Sequence, residues 1–207
     1  MKILMTGGSG LLGRHLKIEA ERPTHAEFNI AEPWLSGRYK YFTNKYDLIV
    51  HCAAYTDVQG AETNRKECFD VNVSGTLNLL ETYPDTPIVY ISSEYATRPV
   101  NFYSWTKKWA EEIAMQYPNY LIIRTLFKDT PWPFEKAFTD QFTNGDYVDV
   151  IAPLIDKEIQ RWDRKGKRMI YVGTGRKTIY DLAIRTKPDV IGNSIKDMKV
   201  PIPNDYL

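Results

Sequence analysis

Thr6-Gly7-Gly8-Ser9-Gly10-Leu11-Leu12-Gly13 lies between a short apolar run and a longer amphipathic one. Lys2–Thr6 predicts a buried strand and Leu11–Glu21 predicts a helix, so the glycines form the turn that joins them. Gly7 permits the tight bend, Gly10 lets the backbone approach a pyrophosphate, and Gly13 lets the helix pack closely on the strand. The helix N-terminus then presents free N–H groups to the phosphates. The stretch therefore predicts a dinucleotide site.

The same alternation of strands and helices continues beyond this first unit, which predicts an α/β fold with a Rossmann-like, doubly wound parallel sheet. We expect a nucleotide-binding domain over residues 1–128 and a small C-terminal substrate lobe over residues 129–207. An irregular stretch is expected around Pro33 and Gly37. The remaining predicted strands are His25–Ile30, Asp47–Cys52, Ile88–Ser92, Tyr120–Thr125 and Arg168–Val172, and the remaining predicted helices are Arg65–Tyr83, Phe102–Gln116, Phe134–Thr143, Val148–Trp162 and Ile179–Arg185.

The composition narrows the classes of partner that the protein can have. The 207 residues carry a net charge of +1, which gives no field that would favour nucleic acid or a membrane surface. No apolar stretch approaches the roughly 20 residues of a membrane span, and no signal-peptide pattern is found. Cys52 and Cys68 lack the spacing of a metal site, so we predict no metal and a cytoplasmic protein.

Two further elements predict a catalytic site at the carboxyl ends of the strands. Ala53, Ala54 and Tyr55 follow a strand, where small side chains leave room for a cofactor. Ser93 ends the next strand, and Tyr103 and Lys107 are four residues apart, on one face of a helix. A lysine beside a phenol lowers the tyrosine pKa and prepares it for proton transfer. A serine hydroxyl stabilises charge on the substrate oxygen.

These motifs together resemble the extended short-chain dehydrogenase/reductases. T-G-G-x-G-x-x-G, A-A-Y-T, V-N-V-x-G-T at Val71–Thr76, Y-I-S-S and Y-x-x-x-K occur in that family's order. Within the family, the stretches His51–Glu62 and Leu121–Thr125 are most similar to dTDP-4-dehydrorhamnose reductases. The resemblance covers residues 1–128 well and the rest loosely. It implies reduction of a nucleotide-linked keto sugar, with hydride from a nicotinamide cofactor and a proton from Tyr103.

The resemblance also implies roles for individual residues. The catalytic residues would be Ser93, Tyr103 and Lys107, and Lys107 would also bind the nicotinamide ribose. Asn72 matches a helix asparagine of the family, and plain helix packing is an equal alternative. The implied cofactor-binding residues are Gly7, Ser9, Gly10, Leu11, Leu12, Gly13, Ala53, Ala54, Tyr55, Asn72, Tyr103 and Lys107.

The sequence departs from the family in three places. No carboxylate falls at the tip of the second strand to bind a ribose 2′-OH, and Arg22, His25 or Arg14 could meet a 2′-phosphate instead. We therefore favour NADP(H), with NAD(H) as the alternative. The connection from Ser93 to Tyr103 is short, which predicts a more open site, and only about 80 residues follow the core.

Several alternatives stay open. An epimerase or dehydratase of the same family shares these motifs, and Glu94 beside Ser93 keeps the dehydratase possible. A non-catalytic NAD(P)-binding regulatory protein is the other class, although such proteins typically lose the Tyr–Lys pair. We expect a possible homodimer through Arg65–Tyr83 and Phe102–Gln116. Structural roles are favoured for His51, Arg124 and Arg176, and core packing for three tryptophans, Trp105, Trp109 and Trp132.

Overall fold

A computed structural model describes residues 1–32 and 45–205. The stretch around Pro33 and Gly37 that we expected to be irregular lies outside these residues. The main sheet has five parallel strands in the order β1-β2-β3-β4-β9. The predicted parallel sheet is confirmed. Its strands are β1 (Ile3–Thr6), β2 (Leu48–His51), β3 (Ile88–Ser93), β4 (Tyr120–Thr125) and β9 (Lys167–Tyr171).

In the described part of the chain, five α-helices connect and cover these strands: α1 (Arg65–Phe69), α2 (Gly75–Thr82), α3 (Phe102–Ala114), α4 (Val148–Arg161) and α5 (Ile179–Ala183). A π-helical turn, Asp70–Ser74, separates α1 from α2 inside the single helix that we predicted. Successive strand residues point to opposite faces of the sheet, so each face has its own core. Leu4 packs with Leu79 of α2, whereas Met5 belongs to the core that contains Ile155 of α4.

The first βαβ unit is much shorter than its sequence predicts. Only one helical turn follows the glycines, with hydrogen bonds from Arg14 N to Gly10 O (3.1 Å) and from Leu16 N to Leu12 O (3.2 Å). By Glu21 the chain already lies beside β1, where it makes an isolated parallel bridge to Leu4. The predicted helix Leu11–Glu21 and strand His25–Ile30 are therefore wrong. The chain turns back to β1 too early to leave room for either element.

The remaining strands are short pairs that form the smaller lobe. β5 (Phe127–Lys128) pairs with β8 (Asp146–Tyr147), β6 (Lys136–Phe138) with β11 (Ile191–Asn193), and β7 (Phe142–Thr143) with β10 (Lys177–Thr178). The predicted helix Phe134–Thr143 is wrong, because its residues form β6 and β7 with partners far along the chain. The helix predicted at Val148–Trp162 and the strand at Arg168–Val172 are confirmed within one residue.

Both α4 and β9 come from the region that we assigned to the lobe, yet they complete the main sheet and its second layer. β9 pairs with β4, and α4 contributes Ile151 and Ile155 to the core beneath β1. None of the helices in the described ranges has the length and apolar character that a membrane crossing requires.

Candidate active site

A cavity of about 790 Å³ lies at the carboxyl ends of the main strands. The glycine turn, the segment after β2, the ends of β3 and β4, and the start of the lobe form its walls. Every predicted site residue except Asn72 lines it: Gly7, Ser9, Gly10, Leu11, Leu12, Gly13, Ala53, Ala54, Tyr55, Ser93, Tyr103 and Lys107. Three segments distant in sequence thus meet around one space.

The glycines of the turn differ in what their missing side chains make possible. Gly7 has a φ of +68°, and a Cβ there would overlap the backbone of Ala53. A Cβ at Gly13 would overlap the Gly7 carbonyl. At Gly10 a Cβ would meet only the Gly7 carbonyl oxygen, at 3.2 Å. Packing therefore requires Gly7 and Gly13, whereas Gly10 keeps the cavity wall open to a group that approaches the backbone.

The turn fits a dinucleotide diphosphate. The backbone N–H groups of Leu11 and Leu12 have no protein acceptor within the two described ranges, and both residues line the cavity. Free N–H groups at the wall of a cavity are suited to anionic oxygens. We expected the dipole of a long helix, Leu11–Glu21, to attract the phosphates as well. A single helical turn replaces that helix, so its dipole does not contribute.

Arg22 has a different task from the one that we suggested. Its guanidinium donates to the carbonyl oxygens of Gly13, Leu16 (2.8 Å) and Ile18 (2.8 Å). These bonds direct the side chain towards the shortened segment, and Arg22 is not among the residues that line the cavity, so nothing here supports the suggested contact with a 2′-phosphate. Arg14 pairs with Asp129 at 3.3 Å, whereas His25 lines the cavity.

Asn72 supports two walls of the cavity from behind. Its Oδ1 accepts from Tyr55 N (2.8 Å), and its Nδ2 donates to Thr106 Oγ1 (2.9 Å). The Thr106 hydroxyl donates to the carbonyl oxygen of Tyr103 (2.7 Å). Asn72 lies in the π-helical turn, and irregular turns of this kind often occur at functional sites. It therefore holds the Tyr55 segment against α3.

Ser93, Tyr103 and Lys107 lie together at the deep end of the cavity. A capping box of Asn101 and Ser104 starts α3 and thereby fixes the position of Tyr103. The Ser93 hydroxyl lies near enough to the Tyr103 phenol to affect its pKa. Tyr95 N donates to Ser93 Oγ at 3.1 Å. Lys107 Nζ donates to the Ile91 carbonyl at 2.9 Å and lies 4.5 Å from the centre of the Tyr90 ring. The predicted catalytic set is thus brought together.

Burial controls the protonation of this set. It raises the pKa of Tyr103, although the nearby Ser93 hydroxyl opposes this rise. Burial also lowers the pKa of Lys107 to about 8, against the opposing effect of Glu111. Our expectation that the lysine lowers the Tyr103 pKa is therefore wrong, since desolvation disfavours the phenolate more strongly. Tyr103 is only 8% exposed and remains protonated at neutral pH, which suits a proton donor.

His51 has the structural role that we favoured. Thr76 Oγ1 donates its proton to Asn72 O (2.7 Å), so it accepts from His51 Nε2 at 3.1 Å. His51 Nδ1 then accepts from the Thr6 hydroxyl at 2.7 Å. Burial is the main cause that lowers the His51 pKa to about 3, so the ring is neutral. Both of its nitrogens serve to join β1, β2 and α2.

Several charged residues of interest are engaged elsewhere. Arg124 forms a buried bidentate pair with Glu111 (2.8 and 2.7 Å), as expected for a structural residue. Glu94 accepts from Thr143 Oγ1 (2.6 Å) and Asn144 N (3.0 Å), and so joins β3 to the lobe rather than facing the cavity. Arg176 makes the surface pair that we favoured, with Asp205 at 2.7 Å. These contacts remove the support that Glu94 gave to a dehydratase.

Tryptophan packing was predicted correctly only in part. Trp132 is buried in the core of the lobe. Trp105 and Trp109 lie on the outside of α3, exposed by 44% and 39%. Phe69 (40% exposed) meets Trp109 edge-on with ring centres 6.1 Å apart, and Phe102 meets it at 6.2 Å. We call Phe69, Phe102, Trp105 and Trp109 the aromatic patch.

Sequence reasoning missed Tyr95, Thr125 and Lys128, which all line the cavity. Tyr95 meets the Tyr103 ring edge-on at 6.1 Å, so the short connection after Ser93 covers the phenol. Thr125 ends β4 directly opposite Ser93 in the register. The alignment of strand ends in a parallel sheet was the available signal for Thr125, since neighbouring strand tips share one edge.

Comparison with known proteins gives a consistent result. The family described as the RmlD substrate binding domain matches residues 1–157. A dTDP-4-dehydrorhamnose reductase of Mycobacterium tuberculosis (strain CDC 1551 / Oshkosh) is 26% identical over 152 residues, covering 60% of this chain and 49% of that protein. The chain thus spans about half the length of the curated relatives it matches.

Solved structures show the same fold. A dTDP-4-dehydrorhamnose reductase from Clostridium acetobutylicum superposes with a TM-score of 0.81 at 21% identity, covering 100% of this chain and 88% of that one. A dTDP-4-dehydrorhamnose reductase from Bacillus anthracis, solved in complex with NADP, gives 0.78 at 20% identity with the same coverage. At these identities, the likeness establishes the Rossmann-like architecture.

Proposed function

The chain belongs to the RmlD substrate-binding-domain family, and from this membership we propose that it is an NAD(P)-dependent reductase of a nucleotide-linked keto sugar. One observation carries the proposal: the buried Ser93, Tyr103 and Lys107 lie in the same cavity as the glycine turn. A cofactor held at the turn and a sugar held near Tyr103 would therefore meet. The mycobacterial relative, named a dTDP-4-dehydrorhamnose reductase, supports a deoxy-sugar substrate of this kind.

The chemistry divides between the cofactor and the chain. When bound, the nicotinamide supplies hydride to the carbonyl carbon of the sugar. Tyr103 donates its phenolic proton to the carbonyl oxygen, and burial keeps that proton in place until the substrate arrives. Ser93 holds the phenol and the substrate oxygen in register, and the Lys107 ammonium supplies positive charge as the phenolate forms. Each group acts from the deep, water-poor end of the cavity.

We propose NADP(H) as the favoured cofactor, with NAD(H) possible. Gly7, Ser9, Gly10, Leu11, Leu12 and Gly13 would hold the diphosphate, and Ala53, Ala54 and Tyr55 would line the adenosine and ribose side. The NADP bound in the Bacillus anthracis relative supports this choice. The Arg22 guanidinium is bonded to backbone carbonyls. His25 lines the cavity and is therefore our candidate for contact with the 2′-phosphate of NADP(H). Asn72 acts as a positioning residue for Tyr55.

The alternatives differ in support. A dehydratase needs an acid or base beside the serine, and the contacts of Glu94 with Thr143 and Asn144 hold that carboxylate away from the cavity. A non-catalytic NAD(P)-binding protein would not need a buried Tyr–Lys pair, whose burial has a desolvation cost. A sugar-nucleotide epimerase uses the same groups, so only turnover distinguishes it from a reductase.

The substrate-side lobe remains a proposal, which we refine from the packing. Because α4 and β9 complete the main sheet and β5 pairs with β8, we assign the lobe to residues 127–147 and 173–205. A cytoplasmic location also remains a prediction. It is supported by the free thiols of Cys52 and Cys68, since secreted proteins more often pair theirs.

A homodimer through the α1–α3 surface is a further part of the proposal. The aromatic patch supports it, because contiguous exposed aromatic side chains favour association. Trp109→Glu places a charge in the aromatic patch and should convert a dimer to a monomer in sedimentation experiments. The buried core of the lobe, which contains Trp132, is not altered by this change. A wild-type monomer at micromolar concentration would contradict this part.

The direct test is turnover. Purified protein is incubated with NADPH and a dTDP-4-keto-6-deoxy sugar, and loss of NADPH absorbance is followed together with mass analysis of the sugar product. We expect a product two hydrogens heavier than the substrate. A product of unchanged mass would indicate an epimerase. Absence of any product, with tight NADPH binding, would favour the regulatory alternative.

A further inference from the structure

The hydroxyl group of Thr125 is an unusual feature of the cavity. The residue is only 2% exposed and lines the cavity at the end of β4. Its Oγ1 makes no hydrogen bond within the described part of the chain. A buried hydroxyl without a partner lowers the stability of the folded state, because it loses its hydrogen bonds to water. Such a group in a folded protein calls for an explanation, and at a cavity wall a bound ligand is one that can supply the missing partner.

Thr143 shows that the chain satisfies other hydroxyls of this kind. It is buried to the same extent, also 2% exposed. Its Oγ1 donates to Glu94 (2.6 Å) and accepts from Gly145 N (2.8 Å). Thr125 instead lies opposite Ser93 in the β3–β4 register, next to the proposed reaction centre. Four other residues in the described part of the chain, Tyr90, Tyr117, Asp156 and Asn193, also have a buried side-chain atom without a partner, and none of them lines the cavity. Thr125 is therefore distinguished by its position at the cavity wall.

Lys128 adds an unpaired charge to the same wall. It is partly buried and lines the cavity, with Nζ 5.3 Å from the centre of the Phe134 ring. Among the described residues, no carboxylate forms a salt bridge with Lys128. The neighbouring carboxylate, Asp129, is paired with Arg14 instead. Burial lowers the pKa of Lys128. A cation placed on an aromatic ring at a cavity wall is available to an anionic ligand group.

We propose that Thr125 and Lys128 bind the substrate directly, Thr125 at the sugar ring and Lys128 at the diphosphate. The assignment rests on the proposed function, because it takes the cavity to be the active site. Thr125 is paired with Ser93 in the register of β3 and β4, beside the place that the proposed function gives to the sugar carbonyl. Lys128 is three residues further on, at most about 11 Å along the chain, towards Pro133 and Phe134 of the lobe. We place the sugar diphosphate along this part of the wall, because Lys128 offers it a positive charge.

The first experiment separates a ligand contact from a structural one by stability. Thr125→Val removes the hydroxyl and keeps the shape, so we expect a melting temperature equal to or above that of the wild type. Thr143→Val, the matched control, should melt several degrees lower because it leaves bonded partners unsatisfied. A loss of melting temperature in Thr125→Val as large as in Thr143→Val would overturn the role of Thr125. This comparison requires no substrate.

The second experiment measures binding by calorimetry with dTDP, dTDP-glucose and NADPH. Thr125→Val should weaken the binding of dTDP-glucose by up to about tenfold. The affinity for dTDP should not change, because Thr125 is proposed to contact only the sugar. Lys128→Met should weaken the binding of dTDP and of dTDP-glucose by at least about tenfold, and the binding of NADPH by less than about twofold. Lys136 is an exposed lysine of the same lobe, so Lys136→Met is the control. It should change the affinity for neither dTDP nor dTDP-glucose.

The outcomes of the binding experiment separate this inference from the proposed function. If Lys128→Met weakens NADPH instead of dTDP, the charge serves the cofactor and the assignment of Lys128 is wrong. If both variants bind dTDP-glucose as the wild type does, the inference is wrong and the proposed function stands. If the wild-type protein binds NADPH and neither dTDP nor dTDP-glucose, the proposed substrate class itself is wrong.

Discussion

The βαβ unit that contains the glycine turn and the unit that contains Tyr103 differ in how completely they are built. Between β3 and β4 the full helix α3 is present, started by a capping box and buried against the sheet. Between β1 and Glu21 a single helical turn remains, and the Arg22 guanidinium bonds to the carbonyls that follow it. Both units nevertheless present their motif residues to one cavity.

The difference shows which parts of each unit the chemistry requires. Proton transfer needs Tyr103 and Lys107 on one face of a regular helix, four residues apart. Phosphate binding needs a backbone turn with free N–H groups, and the rest of the helix is dispensable if another group satisfies the exposed carbonyls. One arginine side chain does so here. The same fold can therefore lose a helix in one unit and not in the other.

Tyr103→Phe tests the complete unit and should have the largest effect. Removal of the proton donor should lower kcat by about 10²- to 10⁴-fold, the range for general acid catalysis. NADPH affinity should change by less than about twofold, because the turn is untouched. Stopped-flow turnover and calorimetry measure the two quantities. Turnover at the wild-type rate would show that Tyr103 is not the donor.

Arg22→Gln tests the shortened unit. The loss of a charged donor to three carbonyls should lower the free energy of unfolding by about 2–3 kcal/mol. It should also weaken the binding of NADPH. Arg14→Gln removes only an exposed pair with Asp129 and should cost less than about 1 kcal/mol. Urea unfolding of both variants gives the comparison. Equal losses would mean that Arg22 does not replace the helix.

His51 joins the glycine-turn unit to the neighbouring helix α2 through its bonds to Thr6 and Thr76, and its protonation should weaken that junction. Its folded-state pKa of about 3 lies below the unfolded value of about 6.5. The unfolded state therefore binds more protons in this window, and stability falls as the pH drops. From about pH 7 to about pH 5 the wild type should lose about 2 kcal/mol more than His51→Gln, measured by urea unfolding. Identical pH dependence would contradict a neutral, buried His51.

His25 should have the smallest effect. NADPH should bind more tightly than NADH, and His25→Gln should reduce that preference by about two- to fivefold, as expected for an exposed charge contact. Calorimetric titration of both cofactors measures it, and NADH binding should be unchanged in the variant. Tighter binding of NADH by the wild type would reverse our choice of cofactor.

The regular part of the fold could be predicted from local pattern. α3 and α4 have clear helical periodicity, and β2, β3 and β4 are apolar runs buried by neighbouring strands. The Leu11–Glu21 helix failed because the bridge of Glu21 to Leu4 overrides an adequate helical propensity. Phe134–Thr143 failed because its partners lie some 35 to 55 residues away, beyond any local window.

The candidate site was predictable where motif residues sit at strand ends and on one helix face. The Tyr103 pKa was not, because burial depends on Tyr95 and on packing that no spacing reveals. Thr125 and Lys128 have no motif. Their significance lies in partners that they lack, which only a three-dimensional arrangement can show.

The π-helical turn Asp70–Ser74 has a consequence for insertions and deletions in this chain. A π turn adds one residue to an α-helix, and each residue rotates the helix by about 100°. α1 and α2 are therefore out of phase by one residue, with Asn72 at the step. Deletion of a single residue there would yield a smoother helix whose α1 face is rotated away from Thr106. The number of residues in this segment is thus fixed, because adding or removing one would rotate α1 relative to α2.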